Sequence, residues 1–95
     1  MNIHSTSTDV VRTENCLSTT LDGETVILHR DAEKYYGLNE VGTVVWESLQ
    51  QPRTIDELCE EILAKYDVSY ERCRDDIEEI LVELNEKELV RFETA

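Results

Sequence analysis

The sequence predicts an α+β domain of the winged helix-turn-helix kind, in which a three-stranded antiparallel sheet is followed by three helices. β-favouring residues dominate the chain up to about residue 38, and apolar residues recur at helical spacing after residue 40. Asp22-Gly23 separates two of the strand patterns, as a tight hairpin turn does. Because 95 residues suffice for one modest core, we expect a single domain over residues 10–95.

The strand half is expected to begin after residues 1–9, a Ser/Thr-rich segment without periodicity that we interpret as a flexible tail. The first strand is predicted within residues 10–21, where Glu14-Asn15 interrupts the β-favouring residues. The second covers residues 24–29, and a short polar reversal leads to the third, residues 35–38. Consecutive strands joined by short turns predict an antiparallel meander whose third strand can be an edge.

Alternation assigns the side chains of the third strand to two faces. Tyr36 and Leu38 share one face, which we place toward the core. Tyr35 and Gly37 share the other face. We therefore expect Tyr36 and Leu38 to support the fold and Tyr35 to be free for contacts outside it.

The first helix is predicted to begin after Asn39, whose side chain can cap the free N–H groups of its first turn. Trp46 is placed at the flank of the apolar face of this helix. The face itself consists of four residues at helical spacing: Val41, Val44, Val45 and Leu49.

Two further helices follow. Residues 54–57 (Thr-Ile-Asp-Glu) form a capping box, so a second helix should begin there and end near Lys65. Ser69 is the predicted N-cap of a third helix of about five turns. Alternation returns over residues 88–92, which predicts a short terminal strand or a docked tail.

Charge disfavours several classes of partner. Nine basic residues stand against 22 acidic ones, and the net charge of −13 is spread over both halves of the chain. Such a surface repels phosphate backbones and anionic lipid, so we expect neither a nucleic-acid nor a membrane partner. A basic or neutral peptide suits it better. The sequence has no apolar run of about 20 residues and no signal-peptide core, so a cytoplasmic protein is expected.

The residue types for catalysis are sparse. His4 and His29 are the only histidines, and no local signature places either beside Cys16, Cys59 or Cys73. The cysteines include no Cys-x-x-Cys pair, which indicates reduced thiols and not a zinc site. We expect no catalytic residues, no metal and no cofactor.

Four motifs resemble the PqqD family, over about residues 17–92. Glu88 departs from that family's pattern, because many relatives carry glycine before the final Leu-Val pair. The motifs are residues 35–42 (Tyr-Tyr-Gly-Leu-Asn-Glu-Val-Gly), 45–49 (Val-Trp-Glu-Ser-Leu), 53–58 (Arg-Thr-Ile-Asp-Glu-Leu) and 66–68 (Tyr-Asp-Val).

The resemblance implies a RiPP recognition element, a non-catalytic domain that binds the leader peptide of a ribosomally made precursor. The Tyr-Tyr-Gly-Leu-Asn segment is most similar to the free-standing B1 proteins of lasso-peptide pathways, which act beside a leader protease or another modifying enzyme. Three alternatives remain: a peptide chaperone of another pathway, such as pyrroloquinoline quinone biosynthesis, a winged-helix DNA-binding protein, and a structural subunit of some other complex.

The implied binding mode agrees with the strand pattern, since an edge strand can accept an extended peptide as a further strand. Side-chain pockets would then lie between the third strand and the third helix. At about 100° per residue, Cys73, Asp76, Ile80 and Glu83 fall on one side of Ile77, and Arg74 and Glu78 on the other. We choose the first side, so the predicted peptide-binding residues are Lys34, Tyr35, Tyr36, Gly37, Leu38, Cys73, Asp76, Ile77, Ile80 and Glu83.

Overall fold

The structure is a computed structural model that describes residues 8–94 of the chain. In chain order its elements are β1 (Thr8–Arg12), β2 (Cys16–Leu21), β3 (Glu24–His29), β4 (Lys34–Leu38), α1 (Glu40–Ser48), β5 (Arg53–Thr54), α2 (Ile55–Lys65), α3 (Tyr70–Glu86) and β6 (Val90–Thr94).

The strands form two antiparallel sheets. One has the order β2-β3-β4, and it precedes the three helices as the sequence predicts. Asp22 and Gly23 both have positive φ, 53° and 79°, which confirms the tight turn between β2 and β3. The other sheet, of order β5-β1-β6, was not predicted. Its pairs join residues far apart in the chain, such as Val10 with Phe92.

The prediction of a single first strand over residues 10–21 is wrong. The chain turns at residues 13–15, so that β1 pairs with β5 and β6 while β2 pairs with β3. Thr8 and Asp9, assigned to the tail from the sequence, belong to β1 and pair with Thr94 and Glu93. The rest of the predicted tail, residues 1–7, lies outside the described residues.

Trp46 is central to the core and does not lie at the flank of α1. It is 1% exposed, and its indole N–H donates to Ser18 Oγ of β2 at 3.0 Å. The Arg12 guanidinium of β1 lies 4.2 Å from the centre of its ring. Val41 and Val44, placed on the apolar face from the sequence, are only half-buried. The side of α1 that faces the core instead carries Val45 and Trp46.

The three N-caps are confirmed. Asn39 Oδ1 accepts from the Gly42 N–H at 2.9 Å, and Ser69 Oγ accepts from the Arg72 N–H at 3.2 Å. At α2 both hydrogen bonds of the Thr54–Glu57 capping box are present. None of the helices within residues 8–94 is long and apolar enough to cross a membrane.

At the end of α3, Glu88 occupies a backbone position that favours glycine. The Glu88 N–H donates to the Asn85 carbonyl at 3.0 Å, and the Leu89 N–H donates to the Leu84 carbonyl at 2.9 Å. These two bonds define a Schellman motif, in which the residue after the C-cap adopts a left-handed conformation. Glu88 has φ 59°, while Leu84 and Leu89 are buried beside it. Packing of the two leucines thus holds a glutamate in a conformation that glycine adopts more readily.

Replacing this residue should stabilise the protein. Glu88→Gly removes a left-handed strain of about 1–2 kcal/mol and adds backbone entropy to the unfolded chain worth about 0.5–1 kcal/mol. We expect a net gain of about 0.5–1 kcal/mol in the free energy of unfolding, measured by urea titration. Glu86→Gly, the same exchange at a helical position, should destabilise by a similar amount. If Glu88→Gly and Glu86→Gly changed the free energy of unfolding equally, Glu88 would not be strained.

The two faces of β4 should differ in their contribution to stability. Tyr36 and Leu38 pack half-buried against the core, whereas the Tyr35 side chain is 72% exposed. We expect Tyr36→Ala and Leu38→Ala each to lower the free energy of unfolding by about 1–3 kcal/mol, less than full core truncations because the side chains are partly exposed. Tyr35→Ala should change it by less than about 0.5 kcal/mol. Thermal unfolding that ranks Tyr35 above Tyr36 would reverse the two faces.

Candidate functional site

β4 is a free edge in the part of the chain that the structure describes. It pairs with β3, from Lys34 opposite His29 to Leu38 opposite Thr25. Within residues 8–94 no strand pairs with its other side. The backbone groups on that side are thus available to a further strand.

The hairpin turn determines which β4 backbone groups face outward. In a two-residue turn the flanking residues, Leu21 and Glu24, exchange hydrogen bonds across β2 and β3. Because backbone groups of consecutive residues point to alternate sides of a strand, every second β3 residue counted from Glu24 bonds to β2. The hydrogen bond from the Arg30 N–H to the Asn15 carbonyl, 2.9 Å long, agrees with this alternation. The intervening β3 residues therefore bond to β4.

The same alternation leaves two β4 residues with outward backbone groups. Lys34, Tyr36 and Leu38 lie opposite the β3 residues that bond to β4, so their N–H and C=O groups are used within the sheet. Tyr35 and Gly37 direct theirs to the free edge. A β-carbon added at Gly37 would have no heavy atom within 4 Å, so the strand is open there.

The inner side of β4 lies beside the end of α3; we call the surface between β4 and α3 the β4–α3 groove. Near its middle, Lys87 Nζ lies 5.3 Å from the centre of the Tyr36 ring. At the Leu38 end of this surface lies a cleft of about 250 Å³ between α3 and the start of α1. The cleft is lined by Asn39, Val41, Asp76, Glu79, Ile80 and Glu83.

Three α3 residues predicted from the sequence, Asp76, Ile80 and Glu83, therefore lie on the side of the helix that faces the start of α1. The opposite side faces α2, where Arg74 Nη1 lies 2.9 Å from Asp56 Oδ1 and Arg74 Nε lies 3.1 Å from Glu78 Oε1. Asn39, Val41 and Glu79 line the cleft but were not predicted. Asn39 offered a signal, because an N-cap ends the strand and begins the helix at the same point.

Two predicted contact residues are part of the core. Cys73 and Ile77 are each 1% exposed, so a peptide on this surface cannot touch their side chains, and they are removed from the candidate site. The angular position of a residue on a helix gives the direction of its side chain but not how deeply it is buried, and these two side chains are covered by the rest of the core. Burial raises the pKa of the Cys59 thiol to about 12 and also raises the pKa of the Cys73 thiol. Both thiols therefore stay protonated at neutral pH and are poor nucleophiles.

The sheet does bring one cysteine opposite a histidine, which the sequence pattern did not indicate. Cys16 of β2 pairs with His29 of β3. Their hydrogen bonds run elsewhere, since Cys16 Sγ lies 3.3 Å from Thr13 Oγ1 and His29 Nδ1 accepts from the Ala32 N–H at 3.2 Å. The two side chains are thus not arranged as a nucleophile and its base. Among residues 8–94 no group of three or more His, Cys, Asp or Glu side chains is placed to hold a metal ion.

A larger concavity, of about 600 Å³, lies on another part of the surface. Its lining comes from the hairpin turn, α1, α2 and the segments that flank α2, and includes Gly23, Glu40, Arg53 and Tyr66. No residue of β4 or α3 lines it. This concavity is larger than the cleft beside α3, but the free strand edge and the β4–α3 groove lie elsewhere. We place the candidate site at β4 and α3, because backbone and side chains converge there on one elongated surface.

The fold and the sequence are similar to those of known proteins. The structure of TbiB1 in complex with the TbiA(beta) leader peptide is 30% identical, with a TM-score of 0.81 over 85% of this chain and 94% of that one. A lasso peptide synthetase B1 complexed with its leader peptide is 16% identical and shows the same fold, with a TM-score of 0.76 over 86% and 96%. No curated protein matches. Residues 24–90 match the family described as coenzyme PQQ synthesis protein D, so the chain belongs to the PqqD family.

Proposed function

We propose that this protein is a RiPP recognition element that binds the leader of a ribosomally made precursor peptide as an additional strand on β4. The leader would then be presented to a separate leader protease or other modifying enzyme, in lasso-peptide biosynthesis. The observation that carries the proposal is the free edge of β4, with the outward backbone groups of Tyr35 and Gly37 beside the β4–α3 groove.

Strand addition suits a domain that must hold a peptide without altering it. Backbone hydrogen bonds to Tyr35 and Gly37 supply affinity that is largely independent of sequence, and alternate side chains of the guest enter the groove to be read. Lys34, Tyr36 and Leu38 belong to the proposed site through their inward side chains. Asp76, Ile80 and Glu83 contribute from α3; Asp76 and Glu83 are exposed there and Ile80 is half-buried.

Similar proteins support leader binding as the function. TbiB1, which is 30% identical over most of both chains, is seen bound to a leader peptide. Binding without catalysis is consistent with the protonated thiols of Cys59 and Cys73 and with the separate hydrogen bonds of Cys16 and His29. We place the protein in the cytoplasm, with no cofactor, because it would act on a newly made peptide.

One alternative is supported by a specific observation. The matching family is described by its role in coenzyme PQQ synthesis, so the same groove would serve a peptide chaperone of that pathway. The two functions share the binding mode and differ in the guest. Titration with leaders of both kinds distinguishes them. DNA binding is disfavoured, because α3 is predominantly acidic.

Proline at residue 37 tests strand addition directly. The Gly37 N–H faces the free edge, so Gly37→Pro removes a hydrogen bond to the guest but none to β3. We expect binding of a fluorescein-labelled leader peptide of a lasso-peptide precursor to weaken at least tenfold, about 1.4 kcal/mol. The melting temperature should stay within a few degrees of wild type. Fluorescence anisotropy and circular dichroism measure the two quantities.

Two control variants show whether an effect of Gly37→Pro comes from the lost N–H group at the free edge. Gly37→Ala keeps the N–H group and should bind like wild type. Tyr36→Pro removes a hydrogen bond to β3 and should destabilise the sheet. If folded Gly37→Pro binds the leader as tightly as Gly37→Ala, strand addition at β4 is refuted.

Side-chain contacts are tested by Tyr35→Ala and Ile80→Asp. Tyr35 neighbours the guest strand on the exposed face, and Ile80 is half-buried in the cleft. Each change should weaken leader binding at least tenfold while the protein stays folded, since neither side chain is at the centre of the core. Val82→Asp, at a residue of α3 that is 44% exposed and does not line the cleft, should leave affinity unchanged. Unchanged affinity in both folded test variants would show that the groove is misplaced.

A further inference from the structure

We infer that the cleft at the Leu38 end of the β4–α3 groove binds a lysine or arginine side chain of the guest peptide, between Glu79 and Glu83. This inference rests on the proposed strand addition and names the chemistry that the groove selects. It concerns one side-chain position of the guest, in addition to the backbone pairing.

The alternation of a guest strand determines which of its side chains enters the cleft. Residues directly opposite one another on paired strands point to the same face of the sheet. The guest residues opposite Tyr36 and Leu38 therefore point inward, toward α3. The cleft begins at Asn39, immediately after Leu38. The guest residue opposite Leu38 is thus the one whose side chain reaches it.

The lining of the cleft suits a long side chain with a cationic end. Val41 and Ile80 are half-buried and offer aliphatic surface, whereas Asp76, Glu79 and Glu83 place carboxylates at the rim. Lysine and arginine pack their methylene stems on apolar surface and keep the charged group in water, which matches this division. An acidic guest side chain would be repelled, and a short polar one would leave the aliphatic surface uncovered.

The rim carboxylates differ in their ion pairs within the described residues, 8–94. Asp76 lies 3.8 Å from Arg72 one turn earlier in α3, so its charge is partly balanced. Glu79 and Glu83 form no ion pair with any residue among 8–94. They lie one turn apart on the same side of the helix, so both can approach a single cation. The groove therefore has a charge preference at this end that the backbone pairing alone does not supply.

The experiment selects peptides from a displayed library of random 12-residue sequences on the immobilised protein. The wild type should enrich lysine or arginine at one position, two residues from an apolar position that lies opposite Tyr36. In a selected peptide, replacing that lysine by norleucine, which keeps the stem and removes the charge, should weaken binding three- to tenfold. The Glu79→Gln/Glu83→Gln double variant should bind the two peptides equally. Higher salt should reduce the lysine preference of the wild type.

Matched variants separate this inference from the proposed function. Glu60→Gln/Glu61→Gln on α2 changes the net charge equally and should keep the lysine preference. If norleucine binds wild type as well as lysine does, while Gly37→Pro still abolishes binding, the cation site is wrong and strand addition stands. If selected peptides bind Gly37→Pro and Gly37→Ala equally well, strand addition itself fails.

Discussion

The burial of Trp46 is the interaction on which the rest of the structure depends. Its ring, on α1, contacts Arg12 of one sheet and donates a hydrogen bond to Ser18 of the other. Arg12 also donates to the Trp46 carbonyl through Nε at 3.1 Å. One residue thus fixes α1 against both sheets. Since α1 begins immediately after β4, the position of α1 also determines where the free edge ends and where the cleft opens.

The site combines two kinds of recognition that need different support. Backbone pairing at Tyr35 and Gly37 requires only that β4 be extended and held in place. Pairing with β3 and the packing of Tyr36 and Leu38 against the core hold it there. Side-chain recognition requires that α3 be held at a fixed distance from β4. The end of α3 is held because the Schellman motif that follows it leads the chain directly into β6. The Thr13 hydroxyl donates to the Glu88 carbonyl at 2.8 Å and fastens this end to the turn after β1.

Local signals in the sequence predicted most elements, and non-local pairing explains the failures. Asn39, Ser69 and the Thr54–Glu57 pair act within one helical turn, so their caps are readable from neighbours alone. The division of residues 10–21 between two sheets depends on pairing of β1 with β6, about 80 residues later, which leaves no local trace. Helical spacing predicts which side chains of α3 share a side. It does not predict burial, so Cys73 was predicted to contact the peptide although its side chain is only 1% exposed.

The free edge of β4 has a consequence for the empty protein. An unpaired strand is a template for any extended chain, including a second copy of the protein. The outer face of the β2-β3-β4 sheet adds the exposed side chains of Leu17, Val26 and Tyr35. Mutual repulsion at a net charge of −13 opposes such edge-to-edge contact. The acidic surface thereby acts as a colloidal stabiliser of the unloaded state. That protection weakens as salt screens the charges.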